Sequence, residues 1–547
     1  MKAFFLLILA AAVSTLVIPL AWRIAPWLGM IDLPDERKVH TAPVPRIGGW
    51  GIAAGCIVPL VLIHELTPLL QSFLIGVGTL FLFGLWDDAR QISHWPKFVG
   101  QIIATATVVF YGGLYVTRIP FFDTLILSPV VGQLLTMVAM IGVINALNHS
   151  DGLDGLAGGE TLLSMVALAF LGHLAGDSLV VDIALATIGG TLGFLRFNTH
   201  PAQVFMGDSG SQVLGFALSF IVVLLTQMAN QATSAALPLL LLGLPISDIL
   251  VVLYLRASGG LNWFKATRNH VHHRLLDLGF THFDSVVCIY LLQAMLVISA
   301  VLLQYESDLL VTATYLLPIA ALFTVLRTAE NRGWKKSTLI ARLLPGDLPS
   351  RLPGATLRRA TLGFIGTLVP LLLLLPTIWA TTIPRDIGSL AALFSLPLAA
   401  VLVWDARRQR AFGAVIIRAI TYVGAAFATY VYIKYPGPNL GVVAGAVNWA
   451  IVALAVAVGV FARFLSAQKF ATTPTDYLIA LGLVVLAIIG SIDVTTGNMI
   501  QFVTYVIVLF YGCEVVAGHV SRWRLVLGWP TLATLAVLAV RGLIHGG

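Results

Sequence analysis

The sequence predicts an all-α, polytopic membrane bundle. Of 547 residues, 58% are hydrophobic and only 10% are charged, and apolar runs near twenty residues long recur from one end to the other. The mean hydropathy is +0.94. A soluble globular domain is about one-quarter charged, so these values exclude a water-soluble globule, a disordered chain and a fibrous one. The three cysteines, Cys56, Cys288 and Cys513, are far apart and lie in apolar runs. An odd, scattered set argues against a disulfide framework or a cysteine metal site.

About eighteen runs are long and apolar enough to cross a bilayer as helices. About eleven fall in the first two-thirds, at 3–22, 48–66, 70–86, 98–117, 128–147, 161–177, 180–195, 211–229, 236–255, 284–303 and 309–326. About seven follow, at 361–380, 388–404, 414–433, 441–462, 476–491, 499–517 and 525–541. The first run begins like a signal peptide, with Lys2 before an apolar stretch, but no small-residue cleavage site precedes the polar segment that starts near Arg23. It is expected to be a retained helix.

The basic residues test this count. Loops 23–47, 87–97, 148–160, 196–210, 256–283 and 327–360 fall on one side and hold nineteen Lys and Arg, whereas the opposite side of the same region holds Lys2 and Arg118. The positive-inside rule makes the basic side cytoplasmic and the N-terminus external. Stretch 327–360 carries eight of these residues with Trp334 and an apolar series at Leu339, Ile340, Leu343 and Leu344. It reads either as a segment lying on an anionic surface or as a charged connector, and residues 328–360 form the natural boundary between 1–327 and 361–547.

Acidic residues number only 25, yet several gather at helix ends on the basic side. One group is Asp87-Asp88, followed by Lys97. A second runs from Asn145 through Asn148, His149, Ser150, Asp151, Gly152 and Asp154 to Gly159. A third is Gly207-Asp208-Ser209-Gly210-Ser211. A fourth is His270-Val271-His272-His273-Arg274. The first polar loop adds Asp32, Pro34, Arg37, Lys38, His40, Pro45, Arg46 and Gly48-Gly49. Singly, paired carboxylates are often helix caps, glycine-rich turns are often only turns, and histidine clusters often anchor at an interface. Together, polar groups distant in sequence fall on one face of one bundle, and acidic groups near a membrane tend to mark a functional path.

Asp and Asn offer hard oxygen ligands suited to Mg²⁺ shared with substrate phosphates. Lys and Arg suit phosphoryl groups, and glycine-rich turns let backbone N–H groups approach an anion. The combination points to Mg²⁺-dependent phosphoryl transfer at the inner membrane face, with one substrate in the cytosol and one in the bilayer.

These motifs, in this order over residues 1–327, resemble the polyprenyl-phosphate N-acetylhexosamine-1-phosphate transferases, the WecA and MraY superfamily. The loop with Arg37, Lys38, His40 and Arg46 and the His-x-His-His form at 270–273 are similar to the WecA-like branch. The resemblance implies transfer of a sugar 1-phosphate from a UDP-N-acetylhexosamine to undecaprenyl phosphate, giving UMP and a lipid-diphosphate sugar that starts a surface glycan. It implies Mg²⁺, with Mn²⁺ as a substitute, bound by Asp208 with help from Asn148. By the same likeness Asp87 deprotonates or orients the lipid phosphate, with Asp88 beside it. Lys97 holds a phosphate, and Asp151 and Asp154 shape the nucleotide and metal pocket. His270, His272, His273 and Arg274 contact the diphosphate and sugar, and Arg37, Lys38, His40 and Arg46 are further contacts. A bacterial inner membrane and a cytoplasm-facing site are implied, with no nucleic-acid partner and a homodimer as a candidate assembly.

Two departures stand out. His94 replaces a frequent proline between Asp88 and Lys97, and His149-Ser150 replaces a more apolar pair before Asp151. Residues 361–547 lie beyond the family core and read as an accessory bundle for docking, assembly or lipid handling. A transporter or flippase for lipid-linked glycans is the rival reading. It explains the many helices but not the gathering of charge on one face, because a transport path needs polar groups at the midplane.

Overall fold

A computed structural model describes residues 2–34, 43–122, 125–258, 269–335, 355–408, 411–435, 440–461 and 497–545. Among the described residues there are eighteen helices and one short antiparallel hairpin. Thirteen of the helices are long and apolar enough to span a membrane, so the protein is a polytopic helical membrane protein.

The chain divides into two compact units, one from Met1–Pro345 and one chiefly from Gly346–Thr472 and Leu486–Gly547. In the first unit, α1 is Lys2–Leu28, α2 Gly48–Ile63, α3 Pro68–Arg90, α4 His94–Ala106, α5 Pro129–Ser150 and α6 Leu156–Leu174. They are followed by α7 Ser178–Asn198, α8 Gly207–Leu224, α9 Leu237–Ser258, α10 Val271–Asp277, α11 His282–Leu302 and α12 Asp308–Asn331. Strands β1 (Ile31–Asp32) and β2 (Val44–Pro45) pair Ile31 with Pro45. In the second unit, α13 is Ala355–Trp379, α14 Arg385–Arg408, α15 Ala411–Lys434, α16 Leu440–Val460, α17 Gly497–His519 and α18 Trp523–His545.

All eleven apolar runs expected before residue 327 are helices, but some ends differ. The run at 98–117 becomes α4 closed by a π-helical turn at Thr107–Tyr111. Helix α12 continues to Asn331, past the expected end at 326, because its last turn carries Glu330, which is paired with Arg274. The seven-residue α10 escapes a search for apolar runs because it carries the histidine motif. Of the seven later runs, six are helices, and 476–491 lies outside the described residues.

Helix α8 is the axis of the first unit: 89% of its apolar window is buried, against 22% for the peripheral α12. Small residues let its neighbours close in. A Cβ on Gly84 of α3 would sit 2.4 Å from Ser209 Cα, and one on Gly49 of α2 would sit 2.3 Å from Ser209 Oγ. The first turn of α8 is thus wedged between two helices at backbone distance. Behind it, Gln101 of α4 bonds Gln212 of α8 (3.3 Å), and Asn145 of α5 donates to Gln101 (2.8 Å). Buried amides paired in this way tie three spans together without leaving polar atoms in hydrocarbon.

Helix α9 is broken at Gly243 (φ 57°, ψ −137°), two residues before Pro245. Proline removes a donor and crowds the preceding turn, so backbone groups at the break need other partners. Gln293 of α11 supplies one, accepting from Leu244 N at 3.1 Å while donating to Ser164 at 2.9 Å. Tyr315 of α12 donates to the Gly243 carbonyl at 3.2 Å.

The second unit has its own apolar core, with Val369, Leu373, Leu454, Phe461 and Val516 almost wholly buried. Arg541 of α18 donates to the carbonyls of Thr377 (2.8 Å), Ile378 (2.9 Å) and Ala380 (2.6 Å), which closes the C-terminal end of α13. Glu514 receives the Tyr422 hydroxyl and lies 3.6 Å from Arg418. Asp476 and Asp493 lie outside the described residues.

Candidate active site

The centre of the site is a charged triad from three helices. Lys97 Nζ on α4 lies 2.9 Å from Asp208 Oδ2 on α8 and 3.4 Å from Asp87 Oδ2 on α3. Burial opposes the Lys97 charge, but Asp208 and Asp87 outweigh it and raise its pKa above the ordinary value. The other Asp87 oxygen, Oδ1, is buried and has no hydrogen-bond partner among the described residues.

Asp88 does something different from Asp87. Its carboxylate accepts the backbone N–H of Asp208 (2.8 Å) and of Ser209 (3.1 Å) and the Ser209 hydroxyl (2.6 Å). It is a buried carboxylate capping the N-terminus of another helix, where unpaired N–H groups and the helix dipole favour an anion. The side chain expected beside the reacting group instead holds Asp208 in place.

Asn148, at the end of α5, donates to Ser211 Oγ (2.8 Å), three residues beyond Asp208 on α8. Asp151 follows in the turn to α6. Desolvation, then the charges of Asp208, Asp154 and Asp88, push its carboxyl up to about 7. Those three neighbours place Asp151 in the same field as the triad.

The histidine motif reaches this turn through Gly152: a Cβ there would lie 2.1 Å from His272 Nε2. Burial, reinforced by His273 and His270, holds His272 well below the ordinary histidine pKa, so the ring is neutral. His149 stacks on His270 at 5.5 Å, His270 on His272 at 5.7 Å, and His273 follows at 4.3 Å. His270 Nδ1 is 2.7 Å from Asp248 Oδ2 on α9.

Some expected contacts point elsewhere. Arg274 forms a two-pronged pair with Glu330 (2.7 and 2.8 Å) and lies over the Phe323 ring, so its guanidinium is engaged in bracing α10 on α12. Lys335 Nζ donates to the Asp277 carbonyl (2.8 Å) and Phe280 packs near Trp334, extending the brace. Asp154 accepts from His200 Nδ1 (2.6 Å) and from Ala202 N (3.1 Å). Burial works to raise its pKa, but these bonds and nearby His282 hold it below the usual carboxylate range. Arg46 pairs with Asp32 at 2.5 Å and bridges through its backbone to Phe205, just before the Asp208 turn. Arg37, Lys38 and His40 lie outside the described residues.

Two groups could hold a cation. The first is Asp208 with Asn148 and the orphaned Asp87 oxygen, all hard oxygen donors. The second is Asp154, His200 and His282, whose ligand atoms lie within 4.8 Å of one another. Both nitrogens of His282 are buried without a hydrogen-bond partner among the described residues. The His200 and His282 rings stack at 4.0 Å and 18°, so one ring must turn before both can share an ion.

Asp248, His200 and His282 were not singled out from sequence. Asp248 lies within an apolar helix, where a lone polar residue gives no local signal, and His282 opens α11 beside Thr281 and Asp284, where it reads as part of an ordinary helix start. His200 follows the end of α7 with no acidic neighbour in sequence.

Known proteins resemble this chain in sequence. Residues 70–226, which carry Asp87, Asp88, Lys97, Asp151 and Asp208, match Glycosyl transferase family 4. The probable undecaprenyl-phosphate N-acetylglucosaminyl 1-phosphate transferase of Bacillus subtilis (strain 168) is 31% identical over 292 residues, covering 53% of this chain and 81% of that protein. The chain belongs to the polyprenyl-phosphate N-acetylhexosamine-1-phosphate transferase family. The undecaprenyl-phosphate alpha-N-acetylglucosaminyl 1-phosphate transferase of Escherichia coli (strain K12) is 28% identical over 337 residues, covering 60% of this transferase and 91% of the relative. The decaprenyl-phosphate N-acetylglucosaminephosphotransferase of Mycobacterium tuberculosis is 30% identical over 301 residues, covering 49% and 74%. This membership favours an enzyme over the transporter reading.

Proposed function

We propose that the protein transfers an N-acetylhexosamine 1-phosphate from a UDP-sugar to undecaprenyl phosphate, at the cytoplasmic face of a bacterial inner membrane, releasing UMP. The lipid-diphosphate sugar then starts a cell-surface polysaccharide. The observation that carries this reading is the joining of Asp87, Lys97 and Asp208 in one triad, with the Asp151 turn and His272 in contact beside it. Lys97, held between two carboxylates, suits a site where two phosphate-bearing substrates meet, whose mutual repulsion is the barrier to be lowered.

Mg²⁺ fits the residues present, because Asp87 Oδ1 is a buried oxygen with no hydrogen-bond partner among the described residues and Asp208 and Asn148 add hard donors. Asp208 and Asn148 would hold the ion, which would supply charge neutralisation at the diphosphate when bound. The chain's own groups do the rest. Lys97 is kept cationic by its two carboxylates and is placed to meet phosphate oxygens. Asp87 orients the lipid phosphate; that group is already largely ionised at neutral pH, so no strong base is required. Asp88 fixes the first turn of α8 and thereby the Asp208 side chain. Neutral His272 offers a hydrogen bond without adding charge.

The test is incubation of purified protein with undecaprenyl phosphate and a panel of UDP-N-acetylhexosamines, with the lipid product identified by mass. A lipid-diphosphate sugar from at least one donor, abolished by Asp208→Asn, is expected. Equal turnover by Asp208→Asn would defeat the assignment.

A further inference from the structure

Asp248 sits on the half of α9 that follows the break at Gly243, and it is buried. Its two oxygens are used separately: Oδ2 meets His270 Nδ1 at 2.7 Å, and Oδ1 accepts the Val271 backbone N–H at 2.9 Å. The first bond fixes a ring and the second fixes the start of the helix that bears His272 and His273. His270 has side-chain exposure of only 8%, as has Asp248, so water does not compete for the contact.

We propose that Asp248 is a positioning residue for the transfer reaction. It holds His270 with the proton on Nδ1, so that Nε2 is the nitrogen available to the substrate pocket. A carboxylate on one imidazole nitrogen sets the tautomer and raises the basicity of the other. The break in α9 is what makes this contact: Gln293, anchored on Ser164, takes up the Leu244 N–H, and the redirected segment carries Asp248 to α10. The inference rests on the transferase reading above and adds a specific role for an acid that no sequence motif marked.

The experiment uses full-length protein in nanodiscs, with two readouts. In ¹⁵N-histidine NMR, the resonances lost in His270→Gln identify that ring. Its Nδ1 is expected to be protonated in the wild type, and Asp248→Asn is expected to let the Nε2–H tautomer appear. In kinetics, Asp248→Asn is expected to lower kcat about 10–100-fold while KM for the nucleotide sugar stays within about twofold, and to cause no further loss when added to His270→Gln. An unprotonated Nδ1 in the wild type, a tautomer unchanged in Asp248→Asn, or losses that multiply in the double variant would each overturn the proposal. Wild-type protein that releases no UMP from any donor defeats the transferase reading instead, and the NMR result still decides the Asp248–His270 pair.

Discussion

Gly152 and His272 touch so closely that a single added carbon would lie 2.1 Å from the ring nitrogen Nε2. Two motifs that are 120 positions apart in the chain thus share one contact surface. Gly152→Ala should push the ring off its place and lower turnover about a hundredfold, the scale expected for a misplacement near 1 Å. The fold should survive, because the clash is with a side chain. UMP release and thermal unfolding measured on the same sample check this; full activity would show that the ring is free to move away.

The two adjacent aspartates should separate by readout. Asp88→Ala leaves the first N–H groups of α8 buried without an acceptor, and each such loss costs about 1–3 kcal/mol. Asp87→Ala removes no comparable bond. Asp88→Ala should therefore lower the unfolding midpoint clearly and activity with it, whereas Asp87→Ala should lose activity at near-normal stability. Identical stability for both variants would contradict the capping role.

Chelation should abolish turnover, and Mg²⁺ or Mn²⁺ should restore it. The same ions should raise the unfolding midpoint of the wild type but not of Asp208→Asn. Full turnover in excess chelator would remove the cation from the mechanism.

Asp151 gives a pH signature in the cation-free protein. Its folded pKa lies near 7, above the ordinary 3.8, so the folded state binds the extra proton between those values. Stability is greatest below about pH 4 for this group and declines as pH rises through 7. Unfolding midpoints followed from pH 5 to 8 should fall in the wild type and fall less in Asp151→Asn. Parallel curves would refute the assignment.

Arg274 should behave as a brace. Arg274→Lys keeps the charge and loses the two-pronged fork on Glu330. Glu330→Gln should then reproduce its effect on turnover. A raised KM in Arg274→Lys alone would return Arg274 to the substrate.

The spans were readable because a helix that crosses a bilayer must be apolar along its length, and 211–229 or 309–326 meet that condition without any tertiary information. Asp87, Lys97, Asp151 and Asp208 were readable because each sits at the polar end of such a run. What stayed hidden depends on contacts between distant segments. Whether Asp88 acts on substrate or caps α8 turns on the approach of α3 to Ser209. Whether Arg274 faces the pocket turns on Glu330, 56 residues away. Asp248 looks from sequence like an isolated charge in a span, and only the break at Gly243 shows its use.

Ser209, clamped between Gly49 and Gly84, gives the enzyme an anvil. The turn that carries Asp208 has no slack, so donor choice cannot be retuned by shifting it. Divergence toward other sugars has to be written in the surrounding loops, and a mutational scan for altered donor preference should leave both glycines untouched.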